Sequence, residues 1–92
     1  MGRKVNSFQR FNMNPKIKLL FDPNIISHRV ELRYSFNNDE MEEKMDSYKN
    51  LTINEALDLI EENLHDWTDF CIFGNVWENG NNTRYEKVAE KC

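Results

Sequence analysis

Glycine is scarce in this chain: Gly2, Gly74 and Gly80 stand alone among 92 residues. A loop that cradles phosphate needs clustered glycines so that its backbone can approach the anion, and the nucleotide-binding fingerprints are therefore excluded. Histidine is equally rare, with His28 and His65. The two cysteines, Cys71 and Cys92, sit in no CxxC or Cys/His cluster, which excludes a structural zinc site. No apolar run reaches the roughly 18–20 residues of a membrane helix. No apolar stretch follows Met1, so the expected location is cytoplasmic, with reduced thiols. Met1-Gly2-Arg3-Lys4-Val5-Asn6 departs from the acylation pattern at Asn6, where Ser or Thr is required. Asn50-Leu51-Thr52 and Asn81-Asn82-Thr83 are formal glycosylation sequons, but 13 Asn make chance matches expected.

What is present reads as globular. Hydrophobic residues are 39% and charged residues 30% of the chain. The length suits one domain, 1–92, with 1–15 as a less ordered basic arm. Charge is the unusual feature. Residues 1–36 carry seven Lys/Arg against two acids, net +5; residues 37–78 carry two Lys against twelve acids, net −10; residues 79–92 are net +1. Such segregation predicts a dipolar surface unless the fold interleaves the segments and lets them neutralise one another.

Phe8 and Phe11 have helical spacing, and Asn14-Pro15 breaks the pattern. Ile17 to Phe21 reads as a short strand, ended by Asp22-Pro23-Asn24. The span 25–36 holds the clearest strand. Val30, Leu32, Tyr34 and Phe36 alternate with Arg29, Glu31, Arg33 and Ser35, so one face is buried and one wet. Residues 40–49 place Met41, Met45 and Tyr48 at helical spacing and read as helix, with a return strand as the rival. Thr52-Ile53-Asn54-Glu55 is a capping box opening a helix over 52–66. Ile53, Ala56, Leu57, Ile60, Leu64 and Trp67 form its apolar stripe. The run 70–77 is apolar on both faces and predicts a central strand covered on both sides or by a partner. Thr83-Arg84-Tyr85-Glu86 is a second capping box, followed by Val88, Ala89 and Cys92 at helical spacing. It reads as a C-terminal helix, with a hairpin around Asn79-Gly80 as the rival. The expected fold class is α+β: a mostly antiparallel sheet of three or more strands, helix 52–66 packed on a face, and a C-terminal helix.

Candidate chemistry is thin. A Cys71–His65 nucleophile pair is conceivable, but Cys71 lies in the most apolar run, where a thiol is expected to be inert core. Asp66 and Asp69 are two carboxylates among sixteen acids, and His65-Asp66 with Asp69 matches no metal-ligand motif. The chain is read as non-enzymatic, with no metal and no cofactor.

Binding is the better reading. Asp39, Glu40, Glu42, Glu43 and Asp46 form one acidic cluster; Glu55, Asp58, Glu61, Glu62, Asp66 and Asp69 form another. Carboxylates at phosphate-like intervals can occupy the Lys/Arg groove of a nucleic-acid-binding enzyme. In size and acidity the chain resembles small phage-encoded inhibitors, including anti-CRISPR and anti-restriction proteins. That resemblance of composition implies a protein partner and assigns no residue roles. The alternative is nucleic-acid binding through Arg3, Lys4, Arg10, Lys16, Lys18, Arg29 and Arg33, with Phe8, Phe11 and Tyr34 interleaved. A second alternative is a homo-oligomer that buries Phe73 and Trp77.

Overall fold

The computed structural model describes residues 7–92, with side chains from Gln9 onward. Helix α1 spans Ser7–Met13, and a short strand β1, Ile17–Leu19, follows it. A single 3-10 turn, Pro23–Ile25, is capped by the Asp22 carboxylate and leads into β2, Ile26–Asn37. Next come β3, Glu43–Thr52, and helix α2, Ile53–Asn63. Strands β4, Trp67–Glu78, and β5, Asn81–Lys91, close the chain. The five strands form one sheet in the order β1-β5-β4-β2-β3, and every pairing is antiparallel.

Alternation in β2 holds for the core face, but Ser35, expected on the wet face, is buried beside the Thr68 hydroxyl, 2.9 Å away. Val30 and Leu32 are buried, and Tyr34 and Phe36 pack against the same core. Helix α2 lies over this face, packing on β2, β3 and β4. Its capping box is complete: the Glu55 amide donates to Thr52 Oγ1 at 3.1 Å, and the Thr52 amide donates to Glu55 Oε1 at 2.9 Å. Ile53, Ala56, Leu57 and Ile60 are buried in one stripe. The helix stops at Asn63, so Trp67 belongs to β4 rather than to the stripe. Helix α1 packs beside α2 and β1, with Phe11 in the core.

Two expected helices are strands. The span 40–49 is the tip and return strand of a hairpin. Asn38 Oδ1 accepts from the amides of Glu40 and Glu42, and Met41 takes the left-handed φ of 61°. An Asn side chain that bonds its own downstream backbone favours a turn over a helix. Pairing with β2 then outweighs the local propensity, and Met45 is left 79% exposed. At 83–91 the rival hairpin prevails. Asn79 and Gly80 take φ of 54° and 77°, the two positive values that a tight type I′ turn needs. Thr83 caps nothing; its hydroxyl donates to the Val76 carbonyl.

β4 is the central strand, but only one of its faces is covered. Phe70, Ile72 and Val76 are core, whereas Phe73 and Cys71 are partly exposed on the other face and Trp77 is 43% exposed. Cys71 is thus not a core thiol. Register breaks decide who faces inward. Trp67 and Phe70, three residues apart, would take opposite faces in a regular strand. An irregularity opposite Ser35/Phe36 turns both to the core. A second break lets the adjacent Val88 and Ala89 both be buried.

Replacing the fully buried Leu57 by Ala should cost about 3 kcal/mol, since transfer and cavity terms add. Met45→Ala, on the exposed edge, should change stability by less than roughly 0.5 kcal/mol. Urea unfolding of the two variants checks both values.

Candidate interaction surfaces

The basic N-terminal segment meets part of the acidic middle. Arg10, on α1, reaches across to α2. Its guanidinium lies 2.7 Å from Asp58 and 3.3 Å from Glu61, and it donates to the Asn54 carbonyl at 3.1 Å. Burial alone would lower the Arg10 pKa, and the bonds to Asp58 and Glu61 more than offset that. Arg29 stands 3.7 Å from Glu55 and donates to the Asn50 carbonyl. The Glu55 carboxyl is held below its ordinary range by its bonds to the Thr52 backbone and hydroxyl, with Arg29 adding to this. Glu55, Asp58 and Glu61 therefore have cationic partners within the fold.

The remaining acids divide. Asp69 lies on the face of the sheet away from α2, opposite Ser35, and is separated from the helix acids by the sheet itself. Asp66 sits in the turn between α2 and β4. Asp66 and Asp69 thus do not form a working pair, and among the described residues no cluster of His, Cys, Asp or Glu is arranged to hold a metal. Asp39, Glu40, Glu42 and Glu43 occupy the β2–β3 turn and the start of β3. Glu42 has Lys44 at 3.5 Å, whereas Asp39, Glu40, Glu43, Glu62 and Asp66 have no ion-pair partner among the described residues. Trp67 pairs with Phe36 where β2 runs out toward Asn37, so the C-terminal end of α2 and the β2–β3 turn share one end of the molecule.

At that end an aromatic groove opens between helix and hairpin. It encloses about 380 Å³ and is lined by Tyr34, Phe36, Asn37, Tyr48, Asn63, Asp66 and Trp67. Tyr34 stacks on Trp67 at 4.2 Å, on Tyr48 at 5.5 Å and on Phe36 at 5.9 Å between ring centroids. Its hydroxyl donates to Asp46, 3.3 Å away on β3. Burial first, then Tyr48 and Asp46, push the Tyr34 pKa up to about 12. Of these residues, the sequence reading assigned a binding role only to Tyr34, Asp46 and Asp66. The alternation of Tyr34 with Phe36 was the available signal. Tyr48 and Trp67 escaped because their spacing imitates helix stripes.

The uncovered face carries a different cluster. The Arg33 guanidinium lies over the Phe73 ring at 4.1 Å and 3.2 Å from Glu31. The Tyr85 hydroxyl donates to Glu31 at 2.5 Å, and its ring stacks on Phe73. The Tyr85 bond holds the Glu31 carboxyl below its usual range against the opposing effect of burial, with help from Arg33. Burial, followed by Glu31, raises the Tyr85 pKa to about 12. Burial also pushes the Cys71 thiol up, away from the thiolate.

Of the basic residues, Arg10, Arg29 and Arg33 are engaged with carboxylates, and Lys16 and Lys18 lie exposed at the β1 edge. Arg3 and Lys4 fall outside the described residues. No helix among the described residues is long and apolar enough to cross a membrane. No family model, curated protein or solved structure matches this chain.

The Tyr85–Glu31 bond has a pH signature. Unfolded tyrosine ionises near its ordinary 10.0, whereas folded Tyr85 holds its proton to about 12. The stability it contributes is complete below pH 10 and is lost as pH rises toward 12. The depressed Glu31 carboxyl contributes stability above the ordinary 4.5, lost as pH falls through its folded value. Urea midpoints across pH should therefore fall at both extremes, and Tyr85→Phe should lessen both declines.

Proposed function

We propose that the chain is a non-enzymatic module that binds another protein, and that its acidic end engages a basic groove on that partner. One observation carries the reading. After Arg10 and Arg29 have paired with Glu55, Asp58 and Glu61, the carboxylates with no ion-pair partner among the described residues, Asp39, Glu40, Glu43, Glu62 and Asp66, lie at one end of the molecule, on the last turn of α2, the loop after it, the β2–β3 turn and the start of β3. Two described cations toward this end are engaged elsewhere: Lys44 with Glu42, and Lys91 with the Thr68 carbonyl. A concentrated negative field of this kind favours encounter with a Lys/Arg-lined surface and disfavours phosphate. The partner class that fits is a protein whose groove otherwise holds nucleic acid, which this chain would inhibit by occupancy. Direct nucleic-acid binding has less to draw on, because three of its expected arginines are engaged with acids.

A second reading has its own observation. The face of the sheet away from α2 exposes Phe73, Tyr85, Trp77 and Met45 beside charges of both signs, which suits a second copy of the chain. A monomer by sedimentation at high concentration removes it.

The acidic end is tested by pull-down from source lysate with and without nuclease treatment, comparing the natural chain with a triple variant, Glu43→Lys, Glu62→Lys and Asp66→Lys. These side chains have no ion-pair partner among the described residues, so the variant should melt like the parent. It should recover at least about tenfold less of any basic partner, and Lys16→Ala with Lys18→Ala should recover as much as the parent. Equal recovery by the charge-reversed chain, or recovery of nucleic acid alone, overturns the reading.

A further inference from the structure

We propose that the groove between the end of α2 and the β2–β3 hairpin receives a cationic side chain, an arginine or lysine, from the basic protein partner. The inference rests on the acidic-end reading and adds to it the place where a single residue of the partner would anchor.

The walls are aromatic. Tyr34 stacks flat between Trp67 and Tyr48, with interplanar angles of 16° and 19°, and Phe36 continues the array. Tyr48, at 42% exposed, opens to solvent. The face of an aromatic ring carries partial negative charge and attracts cations, most of all where water is partly excluded. The polar groups around the groove add acceptors. Asn63 Nδ2 donates to the Leu59 carbonyl, which leaves its Oδ1 as an acceptor. The Tyr34 hydroxyl is committed to Asp46 as donor. Among the described residues Asp66 has no cationic partner, and no Lys or Arg lines the space. Lys44, across from Phe36, is held by Glu42.

This combination selects among occupants. An apolar side chain would bury the Asp66 carboxylate and the Asn63 Oδ1 without giving either a donor, at the cost of unmade hydrogen bonds. A nucleobase would stack, but its phosphates would meet Asp66 and Asp46 and the nearby unpaired Asp39, Glu40 and Glu43. A guanidinium satisfies both parts: its plane lies on a ring face and its N–H donors reach the carboxylate and the amide oxygen. An ammonium meets the same groups as a point charge. The groove volume of about 380 Å³ lies within the roughly 300–1,000 Å³ of small-ligand sites.

The test uses the full chain with Trp77→Phe, so that Trp67 alone reports. The probes are the capped peptide Gly-Arg-Arg-Gly and its citrulline counterpart, which keeps the shape and loses the charge. Indole fluorescence and the Trp67 indole N–H resonance are followed. The arginine peptide should bind at least about tenfold tighter than the citrulline peptide. Tyr48→Ala should weaken it about three- to fivefold, the range of a partly exposed cation–π contact, and Asp66→Asn by a similar factor. Equal binding of the two peptides, no shift at roughly 10 mM arginine peptide, or tighter binding of a thymidine oligonucleotide overturns the proposal. So does arginine binding that survives both Tyr48→Ala and Asp66→Asn. The failures are separable. If Glu43→Lys with Glu62→Lys abolishes binding while the groove variants keep it, the acidic end stands and the groove falls. If all variants bind like the parent, both fall.

Discussion

One helix has to cover a five-stranded sheet, and it is too small to do so. The eleven residues of α2 extend about 16 Å and are about 10 Å wide. Five strands span roughly 24 Å, and the twelve residues of β2 or β4 run roughly 40 Å. The stripe Ile53, Ala56, Leu57 and Ile60 therefore seals only the middle of one face, over Val30, Leu32 and Ile72. Helix α1 extends the cover toward β1, and nothing in the described chain extends it toward the β2–β3 hairpin. The molecule is accordingly thin, 21 Å in its smallest dimension against 47 Å in its largest. Both candidate surfaces follow from this shortage of cover. The aromatic groove is where the core face runs past the end of α2, and the Arg33–Phe73–Tyr85 cluster lies on the face that receives no helix.

The same geometry explains how the segregated charges are used. Because α1 must lie beside α2 to bury Phe11, Arg10 is carried onto the acids of the helix. Because Arg29 is near the sheet position where β3 hands over to α2, it meets Glu55. Two of the seven basic residues in the first third of the chain, Arg10 and Arg29, are thereby spent inside the fold on Glu55, Asp58 and Glu61 of α2. Glu62 and Asp66 at the end of α2, and Asp39, Glu40 and Glu43 at the hairpin, have no ion-pair partner among the described residues. The separated charges of the sequence are thus paired in part by the fold and left unpaired in part.

Some of this was legible in the residues. Thr52 and Glu55 define the start of α2 because capping is a local hydrogen-bond arrangement needing only four residues. The alternation from Val30 to Phe36 defines a half-buried strand because side chains in a strand change face at every step. The apolar run around Ile72 defines the centre of the sheet. The spans 40–49 and 83–91 were misread for a shared reason. Met41, Met45 and Tyr48, like Tyr85, Val88 and Ala89, sit at spacings that satisfy a helix. What excludes the helix is a hairpin turn, at Asn38 in one case and at Asn79-Gly80 in the other, backed by an existing strand edge to pair with.

By itself, then, the sequence determined what depends on near neighbours: the helix cap, the core face of β2 and the sign of charge in each segment. The tertiary structure alone decided what depends on register between distant strands. Trp67 faces the core only because the ladder slips one residue opposite Ser35 and Phe36, and Tyr48 reaches Tyr34 only because β3 pairs with β2 in one frame. A one-residue change of register moves a side chain to the other face of a sheet, and no local pattern encodes it. The aromatic groove, and the division of acids into paired and unpaired, come from that source.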